Sequence, residues 1–332
     1  MDITLESPLD MHLHLREGDM LSVTVPCSAD HYSGAVIMPN LIDPVTSIDY
    51  LLSYRRAIEF YCVDTSFEPY MTLFFSAYSM DMLREAREHI IGIKLYPAGI
   101  TTQSENGVTD FDAVEQTLSH MQELKIPLLV HGESNGFVLD REKEFLPIYQ
   151  RFAETFPDLH IVMEHITTAD SIELLDTYEN LSATVTLHHL MITLDDVIGG
   201  LMNPHLFCKP IAKTPRDREA LCNAVFGGHE RIMFGSDSAP HPVQQKECCG
   251  CAAGVFSAPI ALPLLAQLFD RAGRLNLLQS FVSDNARKRY GLTPLPKRVT
   301  LRREPYRVQE RYGTVKPFFG GNEIEWSVAD VR

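Results

Sequence analysis

His12 and His14, separated by Leu13 and followed through Leu15 by Arg16, place two imidazoles and a guanidinium on one short apolar segment. In a strand the side chains alternate, so Asp10, His12, His14 and Arg16 share one face and Leu9, Met11, Leu13 and Leu15 the other. A polar face of this kind needs partners. Neutral imidazoles two residues apart can converge on one divalent ion. A surface hairpin that carries two histidines fits the same residues, and the motif alone leaves both readings open.

The elements that must position these groups recur along the chain. Branched and apolar runs predict strands at 9–15, 34–38, 70–75, 91–96, 127–131, 160–165, 182–187 and 231–236. Between them, helical patterns run over 47–61, 81–88, 112–124, 145–156, 169–177 and 216–226. Eight strands alternating with helices are the pattern of a (β/α)₈ TIM barrel, α/β in class, with chemistry at the C-terminal ends of the strands. A doubly wound sheet would want a glycine-rich turn after the first strand, and none is present. The chain reads as one barrel domain over 1–332, with the barrel core at about 9–290. Beyond Asn285 it turns basic and proline-punctuated. The extension over 291–332, with a strand predicted over 307–326, is expected to pack against the barrel.

On that frame the chemically able residues fall on one rim. His12, His14 and Arg16 close the first strand, Asn40 follows the second, His131 ends the fifth, His165 the sixth, and Asp237 the eighth. Lys94 lies within the fourth, where Ile91, Ile93 and Leu95 suit the helix layer and Gly92, Lys94 and Tyr96 the interior. A lysine pointing into a barrel is costly unless paired or chemically altered. Taken singly, each histidine could be a hydrogen-bonded structural residue, Lys94 an ion-pair partner, and Asp237 a helix cap. Their coincidence on one rim favours a shared site.

Composition excludes several classes. A net charge of −15 with no basic stripe argues against nucleic acid as partner, and means that an anionic substrate must be held by local positive charge. No apolar run is long enough to span a membrane, and residues 1–8 lack the basic start of a signal peptide, which points to a cytoplasmic protein. Seven cysteines, an odd number, suit free thiols in a reducing compartment. Cys248, Cys249 and Cys251 contain a C-x-x-C spacing that, without a second pair, reads as a glycine-punctuated loop rather than a zinc or redox motif.

His12-Leu13-His14, Met38-Pro39-Asn40, Lys94-Leu95-Tyr96-Pro97, Val130-His131-Gly132-Glu133, Glu164-His165-Ile166-Thr167-Thr168 and Ser236-Asp237-Ser238-Ala239-Pro240-His241 together resemble the amidohydrolase superfamily. More narrowly, the chain resembles the short bacterial (class II) dihydroorotases from end to end. That resemblance implies a zinc-dependent cyclic amide hydrolase of pyrimidine biosynthesis, usually a homodimer, that interconverts N-carbamoyl-L-aspartate and L-dihydroorotate. It implies two Zn²⁺ ions bridged by a carboxylated Lys94 and a hydroxide, with His12, His14 and Asp237 on one ion and His131 and His165 on the other. Asp237 would carry the proton from the hydroxide to the leaving nitrogen. Arg16, Asn40 and His241 would grip the substrate carboxylate, with main-chain contacts from Cys208-Lys209-Pro210 and Ala253. Lys209 stands where the resemblance leads one to expect an apolar residue, a change of little weight if only its main chain is used. The segment 97–107 has the composition of a mobile lid, and Thr101 and Thr102 would donate hydroxyls to the bound acid. Allantoinases and hydantoinases share such metal ligands, but the carboxylate clamp suits an orotate-like acid. An inactive scaffold barrel typically loses ligands, and here all are present.

Overall fold

The structure, a computed structural model, describes residues 1–62 and 66–332. After β1 (Asp2–Glu6) come β2 (Leu9–Leu13), β3 (Gly34–Ile37), β4 (Glu68–Phe74), β5 (Gly92–Leu95), β6 (Leu128–Val130), β7 (Ile161–Met163), β8 (Leu181–Val185) and β9 (Ile232–Phe234). β2 to β9 form one eight-stranded parallel sheet in sequential order, with a helix in most of the crossovers, which is the (β/α)₈ barrel. The barrel closes at its rim: Leu13 bridges Ser238, the His14 amide donates to the Ser238 carbonyl (3.2 Å), and the Asp237 amide donates to the His12 carbonyl (2.9 Å). That seam is what sets the first-strand histidines beside the last-strand aspartate.

The sequence alternation explains the two layers. Val36, Leu129, Val162 and Met233 form an inner cluster, while their strand neighbours Ala35, Ile37, Leu128, Val130, Ile161, Met163, Ile232 and Phe234 pack outward against the helices. Strict alternation fails in β2, however. Leu9 and Met11 join the inner cluster and Leu13 and Leu15 the outer one, so the four leucine and methionine side chains do not share a face. A β-bulge between Asp10 and Leu13, opposite Ala35 and Ile37, supplies the extra residue. It lets Met11 floor the barrel while His12 and His14 turn into the space above. Asp10, paired with outward Ala35, is separated from them, and its Oδ1 accepts from the Ser236 amide at 2.7 Å.

Helices over Ile48–Glu59, Met80–Ala86, Glu115–Leu124, Arg141–Thr155, Ala169–Thr177 and Pro215–Phe226 match the predicted ones to within a few residues. Leu21–Ala29 and Ala261–Arg271 escape the periodicity argument because the first is a β-branched run containing Pro26 and the second is apolar almost throughout. The strand expected over 182–187 stops at Val185 because Thr186 caps the helix Leu187–Met191, its Oγ1 accepting from the His189 amide at 3.0 Å.

The C-terminal extension is organised differently from the single strand predicted over 307–326. β10 (Arg298–Arg302) lies between β1 and β13 (Ser327–Val331) in an antiparallel sheet, and β11 (Tyr306–Arg307) pairs only briefly with β12 (Glu323–Ile324). Gly313, Pro317, Gly320 and Gly321 break the run between them. The extension does pack on the barrel: Trp326 is fully buried in the main core, and Lys297 Nζ donates to the carbonyls of Ala29 and Tyr32.

Candidate active site

Two groups of side chains meet above the inner cluster. On one side His14 Nε2 lies 3.1 Å and His12 Nε2 3.6 Å from Asp237 Oδ1. One donor atom from each of His12, His14 and Asp237 falls within 4.8 Å of the others. On the other side His131 Nδ1 and His165 Nε2 are 3.1 Å apart, and the ring of His165 sits 4.9 Å from that of His12. Between the groups Lys94 is fully buried, its Nζ 4.9 Å from the Tyr96 ring centre. Arg16, His165 and Asp237 all hold positive φ at strand ends, a left-handed turn that non-glycine residues adopt at a cost and that aims these side chains across the rim.

Two carboxylates not anticipated from the sequence support the imidazoles. Glu164 Oε2 lies 2.7 Å from His12 Nδ1 and accepts from Thr184 Oγ1 at 2.6 Å, and Glu133 Oε2 lies 2.7 Å from His131 Nε2. Burial favours a neutral Glu164, but His12, Lys94 and the Thr184 hydroxyl outweigh it and hold the carboxyl below its usual range. Burial likewise opposes ionisation of Asp237, yet His14 and His12 keep it well below the ordinary carboxylate range. Burial pushes Lys94 down to about 8 despite Glu164 and Asp237, and pushes His14 down to about 3 despite Asp237. Sequence proximity could have flagged Glu133, two residues after His131. Nothing local pairs Glu164 with His12.

Arg16, Asn40, Tyr96, Thr101, Thr102, Lys209 and Ala253 line the same small cavity as the histidines and Asp237. Arg16 Nη2 lies 2.9 Å from His241 Nε2, which is 3.0 Å from the Ala253 carbonyl, and Arg16 Nε donates to the Pro240 carbonyl at 3.1 Å. The guanidinium meets no carboxylate at hydrogen-bond distance among the described residues. Asn40 accepts from the Tyr96 hydroxyl (2.9 Å) and donates to the Thr102 carbonyl (3.0 Å), so its amide is engaged by the 97–107 segment. Lys209, too, is held through its side chain: Nζ donates to the Ile100 carbonyl at 2.7 Å. Lys246, which the sequence did not single out, donates to the carbonyls of Phe207 (2.9 Å), Ala252 (2.7 Å) and Gly254 (2.8 Å), tying the two main-chain walls together.

A second buried cluster, His188, His189 and Cys208, lies nearby, but His189 already spends both ring nitrogens on Thr186 Oγ1 (2.9 Å) and the Pro210 carbonyl (3.0 Å). Cys248 and Cys249 are exposed, while Gly250 and Cys251 border an outer groove.

The rim fits metal. His12 Nε2, His165 Nδ1 and Lys94 Nζ are buried without a hydrogen-bond partner among the described residues, and such orphaned groups are costly unless something else meets them. Imidazole and carboxylate donors suit zinc and its neighbours. A parallel barrel with four histidines, a lysine and an aspartate on its C-terminal rim is an amidohydrolase-type fold. No family model matches the chain. It is 44% identical over 339 residues to a dihydroorotase of Helicobacter hepaticus, covering 99% of this chain and 98% of that one. The crystal structure of the Campylobacter jejuni dihydroorotase superposes with a TM-score of 0.95 at 52% identity, covering 99% of this chain and 98% of the other. A dihydroorotase from Saccharomyces cerevisiae, in complex with 5-fluoroorotic acid, gives 0.92 at 35%, with 98% of each chain covered. The chain belongs to the dihydroorotase family.

Proposed function

We propose that this chain interconverts N-carbamoyl-L-aspartate and L-dihydroorotate in pyrimidine biosynthesis, as a hydrolase of cyclic amides. The observation that carries the reading is the conjunction of the donor set on the rim with an Arg16 guanidinium that, among the described residues, meets no carboxylate at hydrogen-bond distance, in the same cavity.

His12, His14 and Asp237 would hold one ion, His131 and His165 another, and Lys94, carboxylated, would bridge them. Carboxylation needs a neutral amine, and burial with no hydrogen-bond partner favours one at Lys94. Two zinc ions bound there would supply Lewis acidity toward a carbonyl oxygen and lower the pKa of water toward about 7. Asp237, ionised and 3.1 Å from His14, accepts a proton from the attacking water and returns it to the ring nitrogen as the amide bond breaks. Ring closure runs the same transfer backward. Arg16 grips the substrate carboxylate with its planar fork, aided by Asn40 and His241, and the main chain at Lys209 and Ala253 meets the ring. Thr101 and Thr102 donate late hydrogen bonds as the segment 97–107 closes and excludes water. Asn40 must release the Thr102 carbonyl before its amide can turn to the substrate carboxylate.

The enzyme works in the cytoplasm as a homodimer. Its seven free cysteines support a reducing compartment, and no helix among the described residues is long and apolar enough to cross a membrane. The purified protein, supplied with zinc, is expected to consume L-dihydroorotate in an ultraviolet absorbance assay and to lose that activity with chelator. Turnover of a hydantoin or of allantoin with none of dihydroorotate would overturn the assignment.

A further inference from the structure

The cavity at the histidine cluster measures about 20 Å³, room for a single water. Beside it lies a groove of about 730 Å³, the size of a small-molecule site. Four residues line both spaces, namely Thr101, Thr102, Lys209 and Ala253, so they are the partition between them. Half of that partition belongs to the 97–107 segment. The segment holds its own shape, because Ser104 Oγ accepts from the Thr101 amide (2.9 Å) and Ser104 O accepts from the amides of Gly99 and Gly107 (2.9 Å each). Its neck is tight: a Cβ on Gly107 would collide with the Tyr96 carbonyl oxygen. Bonded internally in this way, the segment forms one unit joined to the barrel at that neck.

Side-chain donors of the barrel reach the segment at two points, and the segment's own Gln103 amide adds a third tie, to the Asn40 carbonyl and the Ile42 amide. Asn40 takes the Thr102 carbonyl, and at the partition Lys209 Nζ takes the Ile100 carbonyl at 2.7 Å. We infer that the Lys209 ammonium is the latch of a gate: its bond to Ile100 holds the 97–107 segment against the fixed wall, and breaking it joins the outer groove to the metal-binding cluster and admits substrate. The groove is then the antechamber of the site. An apolar side chain at 209 could not donate this charge-assisted bond. Released, the same ammonium turns toward the passage through which an acid must travel in a chain of net charge −15.

The identity of the acid rests on the proposed activity, whereas the latch does not, and the test reads the gate without turnover. Amide hydrogen exchange across 98–107 is followed in the zinc-loaded, substrate-free enzyme. Lys209→Leu should raise exchange in that segment about tenfold, the weight of one charge-assisted hydrogen bond, leave β4 and β5 unchanged, and leave the metal content at the wild-type value. Lys209→Arg should restore protection. Unchanged exchange in Lys209→Leu, or a rise spread equally over the barrel strands, would overturn the latch. Faster loop exchange in a protein that ignores dihydroorotate would sink the proposed activity and keep the latch.

Discussion

Glu164 decides how His12 presents its ring. With Nδ1 held 2.7 Å from the Glu164 carboxylate, the proton sits on that nitrogen and Nε2 is left bare toward Asp237. Glu164→Gln keeps the shape and removes the charge, and metal affinity measured by competition with a chromophoric chelator should fall roughly 10- to 100-fold. Equal affinity would make Glu164 a passive neighbour. Lys94 tests the site from the other side. Lys94→Met fills the same space without an amine, so metal content and turnover should collapse while the metal-free protein melts at the wild-type temperature or above it, an unpartnered buried amine having been removed. Full metal content and normal turnover would refute the bridging role. At this scale the sequence announced the histidines, Lys94 and Asp237, because strand-end polar residues stand out from apolar runs. It was silent on Glu164, because that partner lies 152 residues from His12 and only the closed barrel brings them together.

Elements carry the site through backbone that the sequence describes only in part. All eight barrel strands were legible, since each is a short apolar run with turn residues on its flanks. The bulge in β2 was not, because a pattern of period two cannot show where one residue is skipped, and that skip is what turns His12 and His14 inward while Met11 floors the barrel. The substrate walls depend on a similar hidden device. Lys246 sits on the short helix Val243–Lys246 and gathers carbonyls from 207, 252 and 254, which no local pattern foretells. Lys246→Met strands three acceptors and loosens the main chain at 208–209 and 253, where substrate contacts are proposed. KM for dihydroorotate should rise roughly tenfold with kcat changed much less, the pattern of lost ground-state binding, and Lys246→Arg should recover part of it. A fall in kcat at constant KM would place Lys246 in the chemistry instead.

The whole barrel is sealed at the site it serves. β2 and β9 share no continuous ladder: their rims meet through the Leu13–Ser238 bridge and the two bonds His14 N–H to Ser238 and Asp237 N–H to His12. Ligands for one proposed ion, His12, His14 and Asp237, lie on both sides of that seam, so a bound ion staples the first strand to the last. Ions that bind only the native state stabilise it by about 4 kcal/mol at a thousandfold excess over Kd, and each kcal/mol moves Tm by about 2–4 °C in chains of 150–250 residues, somewhat less in a longer one. Chelation should therefore lower Tm by several degrees, reversibly on adding zinc. The loss should also be local. Amide exchange at His14 and Asp237 should accelerate far more than in β3 and β4, whose ladder Gly34–Glu68, Val36–Tyr70 and Ile37–Met71 contributes no proposed ligand. A Tm indifferent to chelator, or exchange that quickens evenly around the barrel, would mean that the seam closes on packing alone and that the metal serves chemistry without holding the fold.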